Sequence, residues 1–123
     1  MLGLTGTLNY YLFNGSVDMR KGIYSLSDVV RHEMKQNPNN PNNVYIFMSK
    51  NRRVIKILHY ERGFYVLYEK RPLMGQFKKP VYDEKTKSYQ LNRNDMVYLT
   101  DSLVINQISL SKAVWWDQYI DYQ

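Results

Sequence analysis

Between residues 50 and 80, nine basic side chains (Lys50, Arg52, Arg53, Lys56, Arg62, Lys70, Arg71, Lys78 and Lys79) stand against two acidic ones, Glu61 and Glu69. Ammonium and guanidinium groups neutralise phosphates. Set among them are the rings of Tyr60, Phe64, Tyr65, Tyr68 and Phe77, which are flat enough to stack on bases. The chemistry that this mixture suits is nucleic-acid binding. The competing account puts the rings in the core, where strand aromatics usually go, and leaves the cations on a solvated face. This segment carries +7 and the remaining residues −1, so the formal +6 of the chain is a near-neutral body with one basic patch.

Residues able to break bonds are sparse. His32 and His59 have no carboxylate or second histidine at metal-ligand spacing, and no HExxH or GxSxG motif occurs. A surface histidine and a half-buried strand histidine is their simplest description. Asp18, Asp28 and Glu33 lie on or beside one predicted helix, where a cap and a solvated face account for two of them, so they do not form the converging carboxylates of a two-metal nuclease. Cysteine is absent, which removes disulfides, thiol nucleophiles and Cys-containing zinc motifs. The expectation is therefore a non-enzyme without metal or cofactor. No run approaches the ~18 apolar residues of a membrane span, and Met1-Leu2-Gly3-Leu4-Thr5 does not open a secretory signal, so a cytoplasmic protein is expected.

At 123 residues and 14.8 kDa the chain fits one small domain. Residues 8–13, Leu-Asn-Tyr-Tyr-Leu-Phe, predict a strand ending in a turn at Asn14-Gly15. From Asp18 the apolar positions Ile23, Leu26, Val30 and Met34, widened by Val29, recur every three or four residues. They predict a helix capped by Asp18 and ended at Asn37-Pro38. Asn37 to Asn43 is a loop by composition. Val44–Met48, Val54–Tyr60 and Phe64–Lys70 predict three strands, and the short links between them force an antiparallel meander. Val54, Lys56, Leu58 and Tyr60 share one face of the second strand, opposite Arg53, Ile55, Ile57 and His59. Neither that strand nor the third has a uniformly polar face, so a helix is expected over part of each.

Pro72, Gly75 and Pro80 interrupt regular structure. A second helix is predicted from about Asn92 to Ser102, with Asn92 as cap and Met96, Leu99 and Leu103 buried. Val104–Leu110 reads as strand or extended arm. The fold expected is α+β: a small antiparallel β-meander of three to five strands packed against an N-terminal and a C-terminal helix. One domain spans residues 1–110, and an aromatic, acidic tail spans 111–123.

Val17-Asp18-Met19-Arg20-Lys21-Gly22 and the segments after it resemble the TnpB-type accessory proteins, second open-reading-frame products of IS66-family insertion sequences. The resemblance covers roughly residues 8–80. Its carriers are the aromatic strand, Asp18 to Gly22 opening a helix, the polar loop, Tyr45-Ile46-Phe47, Lys56-Ile57-Leu58, Gly63-Phe64, Leu67-Tyr68, Lys70-Arg71, Gly75, Phe77 and Pro80. Departures occur at Pro72, Met74, Gln76 and Lys79, and the tail after Leu110 is outside the pattern.

The resemblance implies an accessory factor of transposition that works beside a separately encoded DDE-type transposase, with DNA as a partner. Lys56, Lys70 and Arg71 are the matched cations expected on the DNA backbone, joined by Arg20 and Lys21, one of which Asp18 would hold by local pairing. With Lys50, Arg52, Arg53, Arg62, Lys78 and Lys79 these make the candidate nucleic-acid set, while Asp18, Gly22, Gly63, Gly75 and Phe77 form the structural motif. The alternative is an adaptor that docks on the transposase through its aromatic surface, its charge serving steering. A third reading, RNA binding, rests on Arg62 to Tyr68, which brushes the RNP1 pattern but lacks its small residue after the first aromatic.

Overall fold

The structure, a computed structural model, describes residues 7–80 and 88–101. Its elements are β1 (Asn9–Ser16), α1 (Ile23–His32), β2 (Asn43–Met48), β3 (Ile55–Glu61), β4 (Phe64–Lys70), β5 (Ser88–Leu91) and α2 (Arg93–Thr100). The strands form one five-stranded sheet in the order β4-β3-β2-β1-β5. The three predicted strands are present, and β2-β3-β4 is the antiparallel meander that their short links require. The sheet as a whole is mixed, however, because β1 pairs with β2 in parallel and β5 antiparallel to β1. A parallel neighbour needs a crossover, and α1 supplies it.

Strand alternation divides the core between the two faces of the sheet. Tyr45, Phe47 and Leu58 form one cluster with Phe13, Leu26, Val29, Val30 and Met34, which brings in the apolar stripe of α1. Val44, Ile46, Ile55 and Ile57 form the other with Tyr10, Leu12, Phe77, Met96 and Leu99, which brings in α2. The central strand β2 is buried at every position, which fits the unbroken apolar and aromatic run Val44–Met48 after Asn43.

Three boundaries differ from the sequence expectation. Asn14-Gly15 does not end β1. The ladder shifts register between Leu12 and Ser16, and Gly15 at φ 109° carries this irregularity, which a side chain would resist. Asp18 does not cap α1; the cap is Gly22, in extended conformation, without a side-chain hydrogen bond. Two carbonyls that a helix beginning at Asp18 would use, those of Met19 and Lys21, instead accept hydrogen bonds from the Lys56 ammonium at 2.7 and 2.9 Å. The first turn of the helix therefore closes with Leu26 N–H donating to Gly22 O at 2.9 Å. The helix also stops short of Asn37-Pro38: Lys35 adopts φ 58°, and Gln36 N–H closes back on Val30 O in a Schellman-like end.

The Asn-rich loop is ordered by its own side chains. Asn37 and Asn40 each accept the amide two residues on, and Tyr45 Oη donates to Asn37 O. Burial pushes the Tyr45 phenol above its usual range, with the hydrogen bond from Asn43 opposing the shift. The second helix is capped as the sequence predicts, Asn92 Oδ1 accepting from Asp95 N–H at 2.7 Å. Ser102, Leu103, the Val104–Leu110 segment and the tail 111–123 lie outside the described residues. The short strand β5 has no counterpart in the sequence reading, although Tyr89 and Leu91 alternate immediately before the Asn92 cap.

Candidate nucleic-acid interface

The link from β2 to β3 is held by one hydroxyl. Ser49 Oγ accepts from the amides of Arg53 and Val54, both at 3.1 Å, and donates to Asn51 Oδ1 at 2.8 Å. Arg52 takes φ 58° to complete the turn. A second segment clamps the same link from outside: Phe77 N–H donates to Arg52 O at 2.7 Å and Gln76 Nε2 donates to Asn51 O at 2.8 Å. Phe77 anchors this strap in the core, so the backbone of Lys78 and Lys79 follows directly on the clamp at Arg52, and the Lys78 ammonium turns to the Tyr98 ring and hydroxyl on α2.

The motif from Asp18 to Gly22 arrives at the same end of the sheet. Val17 N–H donates to Met48 O, the last residue of β2. The Asp18 carboxylate accepts from the Arg20 backbone amide at 2.8 Å and grips the Arg20 guanidinium at 2.6 to 3.1 Å. The Arg20 side-chain bonds, followed by its amide, hold the Asp18 carboxyl at about 2, below its usual 3.8. Val17, Met19, Ser49, Lys50, Asn51, Val54 and Arg71 together line an open groove of about 610 Å³ between these segments. The uncapped first turn of α1 adds the partial positive charge of a helix N-terminus to the same end.

The eleven candidate cations thus separate into groups. Arg20, Lys50, Arg52, Arg53, Arg71, Lys78 and Lys79 belong to segments that meet at this end, as does the backbone of Lys21, whose side chain lines a separate groove along α1 with Ser25, Asp28 and His32. Of these, Lys50, Arg53 and Lys79 are exposed and enter no ion pair among the described residues. Arg20 is paired with Asp18 yet 92% exposed, and Arg71 is paired with Glu69 at 2.8 Å, which lowers the Glu69 carboxyl.

Lys56 is withdrawn from the surface. Its side chain is 9% exposed, its ammonium is committed to the Met19 and Lys21 carbonyls, and Glu69 lies 3.8 Å away. Lys70 faces the α2 side, where its ammonium donates to Thr100 O and Asp101 Oδ1 and supplies a cation to a helix whose last turn has none. Arg62 sits in the β3–β4 turn, at the far end of a seven-residue strand and about 20 Å from the basic end.

The rings named from the sequence mostly belong to packing. Phe77 is buried, Tyr68 packs against the α2-side core, and Tyr65 packs against the α1-side core with its hydroxyl on Asn39. Tyr60 meets Tyr65 edge to face. Phe64 alone stands out, 72% exposed, at the Arg62 end. Arg62 to Tyr68 is therefore a hairpin turn and an edge strand. Two exposed rings escaped the sequence reading, Tyr24 and Tyr98. Their signal was positional, since Tyr24 lies off the apolar stripe of its helix and stands three residues after Lys21.

Among the described residues no three His, Asp or Glu side chains gather as a metal site would require, and no helix is long and apolar enough to cross a membrane. No curated protein and no solved structure matches the chain significantly. The family model described as IS66 Orf2 like protein matches residues 8–110, most of the chain and all of the segments that build the basic end. The chain belongs to this TnpB family of insertion-sequence accessory proteins.

Proposed function

We propose that the protein is a non-enzymatic accessory factor of insertion-sequence transposition that binds DNA phosphates through the basic end of its sheet, working in the bacterial cytoplasm beside a separately encoded transposase. One observation carries this reading: cations from four separate segments, the Arg20 motif, the β2–β3 link, Arg71 and the Lys78-Lys79 strap, are brought to one end by dedicated backbone and core anchors. Surface lysines that served only solubility would need no such scaffolding. Contact with about four phosphates gives a log–log salt slope of about −3.6, close to −4, so raising salt fourfold weakens binding roughly 150-fold. A salt titration of duplex-DNA binding tests this, and no measurable affinity at low salt would sink it.

A second reading, docking on the transposase without touching DNA, is favoured by Phe64. This ring is exposed at the opposite end, beside an open groove lined by Leu8, Pro41, His59 and Tyr60. Phe64→Ser separates the two readings: lost transposase capture in a protein that shows no DNA affinity would put the adaptor in place of the DNA binder.

A further inference from the structure

We propose that the basic end takes an unpaired DNA strand in preference to duplex, with Tyr24 stacking on a base and Tyr98 offering a second platform. This rests on the DNA-binding reading and goes beyond it by naming the form of DNA. Most rings that could have served as stacking surfaces in the basic segment are consumed by the core, as Phe77, Tyr68 and Tyr65 show. Tyr24 and Tyr98 are instead 79% and 61% exposed, although each belongs to a helix whose other large apolar side chains include buried ones.

Both rings border the basic end. Tyr24 is in the first turn of α1, where a helical side chain leans toward the N-terminus and hence toward Lys21 and Arg20. Tyr98 is in the last turn of α2 and is tied to the basic strap by Lys78, which donates to its hydroxyl and whose ammonium lies 4.7 Å from the ring centroid. An exposed ring flanked by cations matches an unpaired nucleotide, whose base presents a π-face while its phosphate is neutralised nearby. A duplex buries those faces in its own stack and offers only edges and phosphates.

The test is fluorescence anisotropy at one salt concentration with a labelled single strand of about 20 nucleotides, longer than one such site requires, and with the same strand annealed to its complement. The expected result is single-strand binding at least ~10-fold tighter than duplex binding, with Tyr24→Ala lowering single-strand affinity about 5- to 100-fold and duplex affinity by less than about 2-fold. Tyr24→Phe keeps the ring and is expected to keep the affinity. Equal binding of the two probes, or a Tyr24→Ala effect that is absent or the same on both, overturns the proposal and leaves the DNA-binding reading standing. Absence of binding to either probe overturns the DNA-binding reading itself. Both tyrosines are exposed, so an unchanged thermal midpoint confirms that the variants report binding rather than folding.

Discussion

Lys56 shows how a single side chain can look functional in sequence and be structural in the fold. Its flanking neighbours on the same strand face, Val54 and Leu58, are both buried, and that setting already places its stem in the core. The ammonium then reaches two carbonyls of the Asp18–Gly22 motif and fixes where α1 starts. Lys56→Met would orphan both carbonyls and is expected to cost about 2 kcal/mol in urea unfolding. Lys50→Ala and Arg53→Ala, exposed and unpaired, are expected to stay within about 0.5 kcal/mol of the parent while weakening DNA binding. Ser49→Ala removes the acceptor of the Val54 amide and one of the two acceptors of the Arg53 amide, Asn51 Oδ1 being the other, and a loss of about 1–3 kcal/mol is expected by the same measurement.

Asp18 gives the pH-dependent counterpart. Its folded carboxyl is depressed, so its contribution to order in the motif is complete above its ordinary value of 3.8 and disappears as pH falls through about 2. A carboxyl-carbon NMR titration is expected to place its midpoint near 2, with Arg20→Ala returning it toward 3.8. A midpoint unmoved by Arg20→Ala would show that the guanidinium grip is not the cause.

Among the elements, those whose partners are local were legible. The meander, the apolar stripe of α1 and the Asn92 cap follow from short links, 3.6-residue periodicity and cap chemistry. The parallel pairing of β1 with β2 was not, because it joins segments more than thirty residues apart and no local rule selects it. The start of α1 was missed for the same reason, since a lysine from a distant strand decides it.

The β3–β4 turn is a local element with a checkable cost. Arg62 and Gly63 have φ 48° and 88°, the signature of a type I′ turn, which Asn-Gly fits far better than Arg-Gly. Nothing crowds a Cβ added at Gly63, so Gly63→Ala is expected to cost about 1–2 kcal/mol from backbone conformation alone. Arg62→Asn is expected to stabilise by up to about 1 kcal/mol. Opposite signs for these two variants in thermal or urea unfolding would verify the turn.

At the scale of the whole molecule, the sequence located the charge between residues 50 and 80 but treated it as a single patch. The fold divides it. Lys56 goes inside, Lys70 closes α2 and Arg62 is carried to the far end, while the segment carrying Arg20 joins from elsewhere in the chain. Charge counting cannot see this, because alternation along a strand and reversal at a hairpin send sequence neighbours to opposite faces and ends. The molecule is therefore polar along its strands, with a basic end and an end marked by Phe64.

That polarity can be measured directly through the salt dependence of duplex-DNA affinity for the parent, for a Lys50→Ala/Arg53→Ala variant and for Arg62→Ala. Binding through the basic end predicts a parent slope near −4, flattened by roughly 1 to 2 in the double variant and left within about 0.5 of the parent by Arg62→Ala. A slope that responds to Arg62 as strongly as to Lys50 and Arg53, or one that ignores all three, would contradict it.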